Sequence, residues 1–140
     1  MSWRIQEVEI KGFKFFKDSF HVIFDGKHVL LYGENGSGKS SIYWSLYTIF
    51  QSCLKTQDEA QKYFRYNHEQ NLRNRFCQPE EDSGISVTFV DDTRANFKIV
   101  EISDKKYPYT NMVEKKFMEE SMMSSDFMNY KFLQKIFDFP

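Results

Sequence analysis

Residues 33–40 read Gly33-Glu34-Asn35-Gly36-Ser37-Gly38-Lys39-Ser40, and their types and spacing specify a chemistry. They fit G-x-x-x-x-G-K-[ST] at every defined position. A polyphosphate tail carries several negative charges, and main-chain N–H groups reach it closely only where side-chain bulk is missing. Gly33, Gly36 and Gly38 provide that freedom, Asn35 is among the few other residue types that tolerate a left-handed backbone, and Glu34 completes the loop. Lys39 brings a mobile point charge to the β and γ phosphates, and the Ser40 hydroxyl suits a Mg²⁺ ion. Ser37 and Ser41 assist by hydrogen bonding. The expected ligands are ATP and Mg²⁺.

Such a loop must leave a buried strand and enter a helix. Val29 to Tyr32 is continuously apolar, as a strand covered on both faces would be. From Lys39 onward Ile42, Leu46, Ile49, Phe50 and Cys53 recur at helical spacing. Before the loop, Ile5 to Ile10 reads as an edge strand, KGFKFFKD as a turn, and Phe20 to Phe24 as a strand leading through Asp25-Gly26 into residues 28–32 as a hairpin. After it, Lys55 to Phe76 reads as one or two short helices and Gln78 to Gly84 as an acidic turn. Ile85, Val87 and Phe89 alternate with Ser86, Thr88 and Val90, then turn at Asp91 to Arg94 into Ala95, Phe97 and Ile99, a second hairpin. Asn111 to Met123, with four of the six methionines, reads as an amphipathic helix or a surface awaiting a partner. Ser124-Ser125 caps a last helix over Asp126 to Phe137.

The metal and water chemistry of phosphate hydrolysis also needs a carboxylate at the end of a second apolar strand. Asp91 and Asp92 end ISVTFVDD, but the strand that follows at once makes them a hairpin tip, so the catalytic residues stay unassigned.

The 140 residues carry 19 Lys plus Arg against 20 Asp plus Glu, a net charge of −1 that argues against a strongly basic nucleic-acid surface made by this chain alone. The longest apolar run is far below the roughly 18 residues of a membrane span, and the start MSWRIQEVEI lacks a secretory pattern. A cytoplasmic location without membrane contact is expected. Cys53 and Cys77 have neither CxxC spacing nor a framework and read as free thiols, and His21, His28 and His68 are too dispersed for a metal site. Lys62, Arg65, Arg73 and Arg75 alternate with aromatics, a pattern better explained by a solvated helix face than by DNA contact. With 15 Phe, 8 Tyr and 2 Trp, part of the aromatic surface is expected to meet a neighbour.

With the loop in place, the N-terminal third resembles the SMC, RecF and RecN group of ABC-type ATPases, including related ATP-binding proteins of bacterial anti-phage systems. Ile10-Lys11-Gly12-Phe13-Lys14-Phe15-Phe16 is similar to that group's "GFKSF" segment, with Phe15 where serine is usual. The spacing through Phe24 and Asp25-Gly26 to Asn35-Gly36-Ser37-Gly38-Lys39-Ser40-Ser41 is similar too. The resemblance implies an α/β P-loop NTPase, with residues 1–140 as the N-terminal lobe of an ABC-type ATPase head bearing an antiparallel β-subdomain. It implies ATP hydrolysis in the complete head, completed by a second head in a homodimer, with DNA as a possible partner and DNA repair, DNA maintenance or phage defence as the setting. It places Lys14 near the nucleotide, Arg73 at phosphate or DNA, and Gln134 as a candidate metal-sensing glutamine. Two other functions fit the loop: a small P-loop kinase, and a nonenzymatic nucleotide-binding regulatory module.

Overall fold

A computed structural model describes residues 3–24, 39–109 and 111–124. Loop residues 33–38, the expected strand 29–32 and the expected last helix 126–137 lie outside the described residues, as do Gln134 and the side chains of Lys39 and Ser40. In chain order the elements are β1 (Trp3–Lys11), β2 (Phe20–Ile23), α1 (Lys39–Gln51), α2 (Gln57–Gln61), β3 (Gly84–Asp91), β4 (Phe97–Ser103) and α3 (Met112–Ser124). Two 3-10 turns, Ser52–Leu54 and Lys62–Phe64, follow α1 and α2.

The strands form one antiparallel sheet in the order β2-β1-β3-β4. Strand β1 is therefore central among the described strands and not the edge expected from its charges. Its alternation of Glu7 and Glu9 with Val8 and Ile10 marks one wet and one dry face, which a strand with neighbours on both sides shows equally well. On the dry face, Val8 pairs with Val87 and that with Val100, while Ile10 pairs with Ile85 and that with Ile102. All six are buried. The β3–β4 hairpin matches its alternation, and the Asp91 carboxylate accepts from Asn96 Nδ2 at 2.7 Å and Thr93 Oγ1 at 2.8 Å, which fixes it at the hairpin tip.

The expected apolar face of α1 is the observed one: Ile42, Leu46, Ile49, Phe50 and, just beyond the helix, Cys53 are buried in the same cluster as the sheet residues. Ser45 and Thr48 are buried as well, so α1 is enclosed nearly all round, with Trp44 and Tyr47 half-exposed. Ser45 Oγ satisfies itself on Ser41 O at 2.7 Å. At the far end Tyr109 OH donates to Ile49 O at 3.2 Å and pairs with Ser52 Oγ at 2.7 Å. Helix α3 starts on an Asn111 cap, whose Oδ1 accepts from Glu114 N–H at 3.0 Å. Its Phe117 ring lies edge-on to Trp3 and Phe89, at 5.7 and 5.2 Å between centroids, and Met118 is buried. Cys53 and Cys77 are free and buried. No helix among the described residues is long and apolar enough to cross a membrane.

Candidate functional site

Helix α1 takes up its helical backbone at Lys39, directly after the glycine loop. A 13-residue helix presents unpaired N–H groups and a partial positive charge at its first turn, and this turn holds no acidic side chain to oppose an anion. The donor set near that end is thus backbone N–H, hydroxyl and lysine, which suits a polyphosphate with its magnesium ion.

The second part of the site is the turn that follows β1. Gly12 stands at φ +59°, and a Cβ there would come within 2.7 Å of Asp82 O, so both the conformation and the space call for glycine. Lys14 stands at φ +50°, a left-handed conformation that costs a lysine roughly 1–2 kcal/mol. Three hydrogen bonds hold it there. Lys14 N–H donates to Leu72 O at 2.7 Å, Lys14 O accepts from Asn74 Nδ2 at 2.9 Å, and the next N–H, of Phe15, donates to Ser41 Oγ at 3.1 Å. The last bond spans 26 residues and ties the turn to the first turn of α1. Lys14 Nζ lies 5.6 Å from the centre of the Trp44 ring, one helical turn on from Ser41. Lys14 and Ser41, from distant stretches of the chain, are thus brought together at one end of α1. The Ser41 side chain is buried and serves as acceptor to Phe15.

Arg73 is not available to phosphate or DNA. Its guanidinium is buried and donates from Nη1 to Phe64 O at 2.9 Å and from Nη2 to Gln78 O at 2.8 Å and Glu81 O at 2.7 Å, with Asp104 Oδ2 at 3.8 Å. It pins residues 64–81 together under the Gly12 turn, to which Arg73 also bridges through Phe13. The rest of the basic stretch is occupied locally: Lys62 on Glu59 at 3.0 Å, Arg65 on Asp58 at 3.2 Å, and Arg75 over the Phe76 ring at 4.9 Å. The expected solvated helix face does not form: residues 65–76 run as turns and extended chain, Tyr66 and Phe76 are exposed, and Lys62 and Arg65 are partly buried while Arg75 is exposed. His21 pairs with Glu7 and Glu9 across β1 and β2 on the wet face.

Trp44, Leu72 and Asn74 belong to this site and carry no sequence signal for it, because each acts by position: one ring, one carbonyl and one amide set against Lys14. An AAA domain family model matches residues 7–137. The chain belongs to the AAA domain family. Over 42 residues it is also 50% identical to the chromosome partition protein Smc of Clostridium kluyveri (strain NBRC 12016), a stretch covering 30% of this chain and 4% of that protein. Both findings bear out the resemblance to the N-terminal part of SMC-like ABC ATPases. An AAA domain with an antiparallel sheet and enclosing helices fits an α/β P-loop NTPase, and the family is one of nucleotide-binding ATPases.

Proposed function

We propose that this AAA-family chain is the N-terminal lobe of an SMC- or RecF-like ATPase head and binds Mg-ATP through Gly33, Glu34, Asn35, Gly36, Ser37, Gly38, Lys39, Ser40 and Ser41. The observation that carries the proposal is the phosphate-loop pattern running straight into α1 at Lys39, with the Lys14 turn tied to Ser41 in the first turn of that helix. In this reading Lys39 neutralises the β and γ phosphates, Ser40 ligates Mg²⁺, and Lys14 adds a second cation from the side of the sheet. Ser41 supports the first turn of the helix by holding Phe15.

Hydrolysis then depends on residues beyond these. Asp91 is occupied by Thr93 and Asn96 at the hairpin tip, and these bonds hold its carboxyl below the ordinary range, so it keeps a structural role. In this reading the carboxylates that serve hydrolysis come from the rest of the head, and a second head, most simply another copy, closes over the nucleotide. The family resemblance, rather than any described basic surface, supports DNA as a partner of the complete head, in DNA maintenance, DNA repair or phage defence.

Titration of the chain with Mg-ATP, followed by product analysis, tests the reading. Saturable binding with negligible turnover is expected. Phosphate transfer to a small acceptor would point instead to a kinase, and absence of ATP binding would overturn the proposal.

A further inference from the structure

We infer that Asn74 is a positioning residue for nucleotide binding, acting through Lys14; the inference rests on the Mg-ATP reading above. Asn74 is buried, and both ends of its amide are committed. Oδ1 accepts from Phe76 N–H at 2.9 Å, which fixes the orientation of the amide, and Nδ2 donates to Lys14 O at 2.9 Å across 60 residues of sequence. Its own N–H donates to Gly12 O at 3.0 Å, while the carbonyl two residues earlier, Leu72 O, receives Lys14 N–H at 2.7 Å. Residues 72–74 thus grip the Lys14 peptide units on both sides.

The left-handed turn seats Phe13 and Phe16 in the core, while the strained Lys14 between them keeps its side chain half-exposed. The conformation also sets where the amine goes: over Trp44, beside the first turn of the helix that follows the phosphate loop. A flexible lysine must lose rotamer freedom to meet a phosphate, and fixing its backbone and resting its amine on a ring removes part of that loss in advance. Asn74 is the side-chain donor of the arrangement.

A double-mutant cycle tests this, with Mg-ATP affinity by titration calorimetry and thermal stability read on the same four proteins. Asn74→Asp keeps the acceptor for Phe76 N–H and places a carboxylate oxygen against Lys14 O; Asn74→Ala removes the donor without adding charge. Each is expected to weaken ATP binding roughly fivefold in the wild-type background and to change it less than twofold when Lys14 is already alanine. The loss of thermal stability should be the same in both backgrounds. Equal losses of ATP affinity with and without Lys14, or Asn74 variants that bind ATP as the wild type does, would overturn the inference and leave the Mg-ATP reading standing. Failure of both Asn74 variants to fold would make Asn74 a scaffold residue and equally overturn it. Absence of ATP binding by the wild type would overturn both.

Discussion

The two ends of α1 are held by different physics. At the C-terminal end Ile49, Phe50 and Cys53 sit in a dry cluster, Phe50 stacks edge-on against Phe89 at 6.0 Å between centroids, and Tyr109 closes the helix with buried hydroxyl bonds. At the N-terminal end Ile42 and Tyr43 are buried too, and directional hydrogen bonds to backbone are added: Ser41 to Phe15, Asn74 and Leu72 to Lys14. One end stores stability in buried apolar surface, which has no directional preference. The other stores geometry in directional bonds around a strained lysine. A chain that must bind an anion needs both, because cations and open N–H groups cannot be assembled from apolar contact.

The contrast makes mutations at the two ends separable. The largest effect is expected from Phe50→Ala, which should cost about 3–5 kcal/mol in urea unfolding, since it leaves a cavity beside Phe89. Arg73→Ala should follow at roughly 3 kcal/mol by the same measurement, because three carbonyls lose their donor and Asp104 loses its counter-charge. A solvent-facing arginine would lose almost nothing, so a wild-type unfolding curve for this variant would refute the buried-hub assignment. Tyr109→Phe should cost about 1 kcal/mol, the net value of its hydroxyl bonds.

Cys53 sharpens the same end by pH. Burial, with Glu119 nearby, pushes its thiol up to about 11 from an ordinary value of 9.0. The unfolded thiol therefore ionises first, and stability from this group is complete below pH 9 and declines as pH rises towards 11. Unfolding free energies measured across that window should fall in the wild type and fall less in Cys53→Ala. The smallest effect is expected from Asp92→Ala at the exposed hairpin tip, within about 0.5 kcal/mol in stability and with no change in nucleotide affinity. A large loss of ATP affinity there would place a nucleotide or metal contact at this hairpin.

Much of the apolar end was legible in the sequence. The 3.6-residue spacing of α1 and the alternation of β3 report burial directly, and both read correctly because burial is what periodicity measures. Asn111-x-x-Glu114 is a capping pattern that agrees with the helix read from Asn111. The number of neighbours a strand has leaves no mark in alternation, so β1 read as an edge. The resemblance set Arg73 at phosphate or DNA and its charge read as a solvated face, because charge predicts solvent on average; only the fold reveals three carbonyls converging on one guanidinium. At the candidate site the loop pattern was plain, whereas the grip on Lys14 was invisible. It uses main-chain groups of residues 72–74 and one asparagine 60 positions away.

On the proposed reading, the amides and lysine between residues 33 and 41 hold the phosphates of ATP. Calorimetric titration of Lys39→Ala beside the wild type, both with Mg-ATP, tests it most directly. Loss of the charge-assisted phosphate contact should weaken binding by about 2 kcal/mol, roughly thirtyfold, with the thermal unfolding of the two free proteins unchanged. Equal affinities in two equally folded proteins would contradict it.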